Sequence, residues 1–191
     1  MTNQITTIIE ESIAVKQAIL ADPLLSHTIS EVIKVVTQAL SSGKKVLFCG
    51  NGGSAADAQH LAAEFSGRFY KDRRALPAEA LHCNTSYLTA VANDYSFDVI
   101  YSRIVEGIGN GGDILIGLST SGNSANIVKA FETARKKEMI TIGLTGTTGG
   151  VMKAYSDYLL NVPSTNTPRI QEAHIMIGHI ICQVVEENIF P

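Results

Sequence analysis

Basic side chains are scarce in this sequence: 15 Lys and Arg stand against 18 Asp and Glu, a formal net charge of -3. That balance leaves no electrostatic footprint for nucleic acid, so an anionic ligand would have to be held by local groups and not by a basic surface. Cysteine is sparse too. Cys49, Cys83 and Cys182 lie far apart without CxxC spacing, which argues against zinc or disulfide roles and predicts three buried free thiols in a reducing cytoplasm. No apolar run reaches the roughly 20 residues that a membrane span requires. The most apolar segment, 175–185, is interrupted by His179 and Gln183. Residues 1–16 carry Glu10 and Glu11 inside their apolar pattern, where a signal peptide would have a basic start and an unbroken apolar stretch. The Walker A fingerprint is missing as well: no Lys stands where that turn needs one.

What remains is an ordinary globular composition, 45% hydrophobic and 17% charged over 191 residues, enough for one domain with its own core. Apolar positions recur at helical spacing over residues 4–41, and Asp22-Pro23 divides them into two helices. Residues 44–49 then form a short apolar strand bounded by glycines. Further strands are expected at 80–82, 113–118, 141–145 and 158–162. Helices are expected at 54–66, 86–92, 96–108, 123–137 and 149–155, with a last one from Pro168 to about Glu187. This alternation predicts an α/β fold, a parallel sheet covered by helices on both faces.

Two strand ends carry distinctive chemistry. After the first strand comes Gly50-Asn51-Gly52-Gly53-Ser54, and after the strand at 113–118 comes Ser119-Thr120-Ser121-Gly122-Asn123-Ser124; each opens a helix. Glycines let backbone N–H groups approach an anion, a helix start adds partial positive charge, and Ser54 is placed to cap its helix and donate a hydroxyl. Four hydroxyls within six residues suit a phosphate in a protein that has no basic patch. Two such turns at adjacent strand ends identify a phosphate site more firmly than either alone.

Acid–base candidates lie beyond the turns. His60 and Glu64 share a face of the first of these helices, on a segment whose other residues are mostly apolar. On the last helix, Gln171, Glu172, His174 and His179 interrupt an apolar sequence, and polar groups buried there would need partners. A lone histidine in that setting is more often a satisfied core residue. Gln171 and His179 are eight residues apart, about 12 Å along a helix, so they can meet only through something lying between them. Asn93-Asp94 reads as a polar turn and Arg68 as a surface cation.

In order along the chain, Gly50-Asn51-Gly52-Gly53-Ser54, Asn93-Asp94, Ser119-Thr120-Ser121-Gly122-Asn123-Ser124, Leu144-Thr145-Gly146 and Arg169-Ile170-Gln171-Glu172-x-His174 closely resemble the phosphoheptose isomerases of the sugar-isomerase (SIS) domain superfamily. The resemblance spans nearly the whole chain. It implies a three-layer αβα, flavodoxin-like fold with a five-stranded parallel sheet. It implies a single domain over 1–191, with added N-terminal helices (4–41) that pack with the C-terminal helix in the oligomer. It further implies a cytoplasmic homotetramer with active sites at subunit contacts and no nucleotide cofactor, nucleic acid or membrane partner. The implied reaction is aldose–ketose isomerisation of D-sedoheptulose 7-phosphate to D-glycero-D-manno-heptose 7-phosphate, the first step toward ADP- or GDP-heptose. The implied substrate-binding residues are Asn51, Gly52, Gly53, Ser54, Glu64, Asn93, Asp94, Ser119, Thr120, Ser121, Ser124 and Gln171. Glu64 and His179 would be the acid–base pair. Some members hold one zinc through the residues matching His60, Glu64, Gln171 and His179. The same fold also resembles a non-catalytic, tetrameric replication-initiator-associating protein, the alternative this sequence leaves open.

Overall fold

The computed structural model describes residues 2–191, and every element below lies within them. Two long helices, α1 (Thr2–Leu20) and α2 (Pro23–Ser41), precede the sheet. Asp22 separates them as the N-cap of α2, its carboxylate accepting from the N–H groups of Leu24 and Leu25, with Pro23 in the first turn. The strands are β1 (Val46–Gly50), β2 (Ala78–Ala80), β3 (Ile114–Leu118), β4 (Ile140–Thr145) and β5 (Tyr158–Asn161). Between them run α3 (Gly53–Ser66), α4 (Thr85–Asp94), α5 (Ile100–Ile108) and α6 (Ala125–Lys136), and α7 (Thr167–Ile189) ends the chain.

All strand pairs are parallel, in the order β2-β1-β3-β4-β5, the flavodoxin-like arrangement. Side chains alternate between two apolar layers. Val46, Phe48, Ile114, Ile116, Ile142 and Leu144 pack against α2, α3 and α7. Leu47, Cys49 and Leu115 face the opposite way, toward α4, α5 and α6. Burial on both faces is why β1 and β3 are apolar throughout.

The expected segments at 96–108 and 149–155 are tighter than continuous α-helix. The first is a 3-10 turn (Phe97–Val99) leading into α5, and the second is a 3-10 turn alone (Val151–Tyr155). β2 begins two residues before the expected strand, on the sheet's edge, where it pairs only with β1. Cys49 and Cys182 are buried as expected, but Cys83 is exposed, because it follows β2 in the loop before α4 and no layer covers it. Within the chain, α2 already packs on α7 through the common core, and Arg169 of α7 donates to the Ile8 carbonyl of α1 at 2.7 Å. The outer face of α1 stays uncovered: Ile5, Ile9 and Ile13 are 57%, 54% and 47% exposed.

Candidate active site

Ligands in such sheets bind beyond the carboxyl ends of the strands, where the strand order reverses. Here that point lies between β1 and β3, whose last residues, Gly50 and Leu118, are register partners. The two Gly/Ser turns therefore leave the sheet side by side. Asn51 and Asn126 clamp them together, exchanging two amide hydrogen bonds of 2.9 Å.

The turns differ in what they offer. In the first, the N–H groups of Ser54, Ala55 and Ala56 turn back onto the Asn51 and Gly52 carbonyls. Ser54 is not the cap expected of it. Gly52, at φ 56°, holds the N-cap position, and Ser54 is buried inside the first turn of α3. The second turn is more open. Among the described residues, the N–H groups of Thr120, Ser121 and Ser124 take no hydrogen-bond partner, and the Ser119 and Ser124 hydroxyls lie 2.9 Å apart. Beside this turn is a cavity of about 260 Å³, walled by Thr120, Ser121 and Asn123, by Gly146–Thr148, and by Ser164, Thr165, Thr167 and Ile170. No side chain in that wall is charged. Oriented neutral donors are what such a wall can present to an anion. None of the first turn's residues lines it.

Helices α3 and α7 lie side by side and run the same way. Gly53 meets Gln171, and Leu61 meets Gly178, where a Cβ would come 2.5 Å from both Leu61 methyl carbons. That glycine lets the helices approach closely, and the seam ends in a polar cluster. His60 Nε2 lies 3.2 Å from Glu64 Oε1 and 3.1 Å from His179 Nε2, and the three residues offer ligand atoms within 4.8 Å of one another. Tetrahedral zinc with donors at about 2.0–2.1 Å sets them roughly 3.3–3.4 Å apart, so this donor set fits a metal. His179 is half-buried, with the Phe69 ring 5.7 Å from its own. Burial lowers its pKa and the neighbouring His60 adds to this, while Glu64 opposes, so His179 is held toward its neutral form.

Gln171 does not join this cluster within one chain. It sits at the opposite end of the seam against Gly53, about 12 Å along α7 from His179. Asn93 and Asp94 close α4 at the surface, where the Asn93 amide donates to Asp94 at 2.9 Å. Arg68 is exposed. His174 is a core histidine, half satisfied: Nε2 meets the Thr145 carbonyl and Nδ1 is without a partner among the described residues. Sequence reasoning missed Thr147, Thr148, Ser164, Thr165 and Thr167 in the cavity wall. Hydroxyl density at 145–148 and 164–167 was the available signal.

A model of the SIS domain matches residues 9–146. The phosphoheptose isomerase of Clostridium acetobutylicum is 54% identical over 190 residues, covering 100% of this chain and 97% of that protein. This chain belongs to the phosphoheptose isomerase family. A second family member, from Aneurinibacillus thermoaerophilus, is 53% identical over 190 residues, covering 100% of this chain and 96% of its own. Among solved structures, the phosphoheptose isomerase of Neisseria gonorrhoeae superposes with a TM-score of 0.91 at 43% identity, covering 97% of this chain and 98% of that one. The Francisella tularensis structure gives 0.93 at 38% identity over the same shares. The family's fold is thus matched over 97% of the chain.

Proposed function

We propose that this chain isomerises D-sedoheptulose 7-phosphate to D-glycero-D-manno-heptose 7-phosphate, opening a route to nucleotide-activated heptose in the cytoplasm. The observation carrying this reading is the His60–Glu64–His179 cluster, an acid–base group beyond a neutral hydroxyl-lined cavity in a full-length match to this family. Ser119, Thr120, Ser121 and Ser124, with the free N–H groups of their turn, would take the phosphate. Asn51–Ser54, Asn93, Asp94 and Gln171 would hold the sugar hydroxyls. The phosphate is a remote handle, whose binding fixes the reacting carbons in place.

Ketose-to-aldose conversion moves a proton between C1 and C2 and shifts the carbonyl. Glu64 takes the C1 proton, an enediol forms, and Glu64 returns the proton to C2. His179, held toward neutrality, moves a proton between the two oxygens. His60, Glu64 and His179 would hold a divalent metal, zinc in this reading, whose chemistry when bound is to polarise the carbonyl and stabilise its developing charge.

Ile170 of the cavity wall and His179 are nine residues apart on α7, about 13 Å. That separation, and the distance of Gln171 from the cluster, favour sites completed across subunits. The exposed Ile5, Ile9 and Ile13 of α1 offer an apolar face for such a homotetramer. The initiator-associating alternative does not call for an acid–base pair, and this chain carries one.

The test is an aldose–ketose assay with sedoheptulose 7-phosphate, with and without a chelator. Glu64→Gln should lower kcat by roughly 10²–10⁴-fold, the usual contribution of a positioned base. Near-normal turnover in that variant would sink the assignment, and chelator insensitivity would remove the metal from it.

A further inference from the structure

His174 is fully buried on α7 and belongs neither to the cavity wall nor to the His60–Glu64–His179 cluster. Its Nε2 lies 3.2 Å from the Thr145 carbonyl oxygen. A carbonyl only accepts, so the ring proton sits on Nε2 and Nδ1 is a bare acceptor, buried and unpartnered among the described residues. Burial drives the imidazole pKa down to about 4, so the ring is neutral. The Thr145 carbonyl already receives the Val162 N–H at 2.9 Å. Stability alone therefore gives little reason for a histidine here. An orphaned buried nitrogen is destabilising, and the carbonyl would keep one partner without it.

What the bond does is anchor the turn that joins the cavity's walls. The Gly146 N–H donates to the Thr120 carbonyl of the serine-rich turn at 3.0 Å. The Thr147 N–H and hydroxyl donate to the Ser164 carbonyl of the β5–α7 loop at 3.2 and 3.0 Å. Asn161 braces the same turn by donating to the Gly146 carbonyl at 3.2 Å. There is no slack at this junction: a Cβ on Gly146 would lie 2.8 Å from both Ile170 Cδ1 and the Thr120 carbonyl oxygen. Helix α7 reaches the junction twice, through Ile170 in the wall and, one turn later, through His174.

We propose that His174 is a positioning residue for the phosphate pocket, locking α7 to the end of β4 so that the hydroxyl wall is fixed before the ligand arrives. This rests on reading the cavity as the phosphate site. Neutral donors hold a dianion well only when they are already oriented, because each donor that must be ordered on binding subtracts from affinity. His174 never touches the ligand; it acts through Thr145 and Gly146.

The experiment compares His174→Leu with His174→Gln, whose amide nitrogen can stand where Nε2 does. The readouts are inorganic phosphate affinity by calorimetry, KM and kcat for sedoheptulose 7-phosphate, and the melting temperature. His174→Leu should weaken phosphate binding and raise KM by about tenfold, with kcat at saturation changed less than about threefold and no fall in Tm. His174→Gln should recover most of the affinity. A folded leucine variant with wild-type phosphate affinity and KM would overturn the proposal, as would equal losses in both variants. Should His174→Leu fail to fold, His174→Asn replaces it, since its shorter amide does not reach Thr145; the same loss is expected, and wild-type affinity would again overturn the idea. If the wild-type protein itself bound no phosphate, the reading of the cavity would fall first, and this inference with it.

Discussion

Replacing Glu186 by Gln would release the loop that follows α3. The Glu186 carboxylate is 2% exposed. It accepts from the N–H groups of Phe69, Tyr70 and Lys71 at 3.0, 2.7 and 2.9 Å and from Arg73 Nε at 2.8 Å. Arg73 continues the clamp by donating to the Glu64 and Phe65 carbonyls at the end of α3, each at 2.9 Å. Burial alone would raise the Glu186 pKa, but the three backbone donors and the guanidinium outweigh it and take the carboxyl from 4.5 down to about 2. Because the folded value is the lower one, the stabilisation is complete above the unfolded pKa and is lost as pH falls from about 4.5 toward 2. The difference corresponds to about 3 kcal/mol at pH 7 and to about 1.4 kcal/mol at pH 3. Glutamine keeps one acceptor oxygen but turns an NH₂ group toward N–H donors. Glu186→Gln should therefore lower Tm by about 6–12 °C at neutral pH, with the gap from wild type narrowing in acid. Protein concentration is held fixed, because the proposed assembly would contribute to apparent stability. Equal melting temperatures at pH 7, or a gap that does not narrow by pH 3, would refute the clamp.

Gly178→Ala should cost about 1–3 kcal/mol by forcing α7 off Leu61. It should also lower kcat more than it raises KM, because the seam it opens is the one that brings His179 to His60. Steady-state kinetics with a thermal melt separate the two effects. Cys83 should react with a thiol reagent in the native protein, whereas Cys49 and Cys182 should react only after unfolding, because they are buried and burial raises their thiol pKa. Counting thiols with and without denaturant checks this. Ile9→Glu places a charge on an exposed apolar helix face and should leave the subunit fold intact while shifting the protein to smaller species in light scattering. An unchanged mass would exclude that face as the contact.

Sheet and helices were legible because their signals are local. Glycine-bounded apolar runs marked β1 and β3, and Asp22-Pro23 marked the break between α1 and α2. β2 was misplaced because an edge strand of three residues carries almost no periodic pattern. The cap at Ser54 was misassigned for a different reason. Gly52, with φ 56°, starts the helix earlier than a hydroxyl-cap reading allows, so the serine falls inside the first turn. The second Gly/Ser turn was readable from its four hydroxyls, whereas the hydroxyl density around Thr147, Thr148, Ser164 and Thr165 gave no hint that they share a cavity with it. They reach the cavity because β4 and β5 end beside β3, which is topology and not spacing. The Arg73–Glu186 clamp joins residues 113 apart in sequence and left no local trace.

The α3–α7 seam explains why the candidate active site divides as it does. Two helices running in the same direction pair residues in order, so Gly53 meets Gln171 at one end and His60 meets His179 near the other. Each helix therefore carries one group for each end, and neither can bring its own two groups together. His60 and Glu64, a single turn apart on α3, already meet at 3.2 Å, and His179 joins them from the other helix. The same geometry removes Gln171 from that point by about 12 Å. A parallel pair builds a three-residue cluster readily, but it leaves the fourth position to whatever packs across the seam.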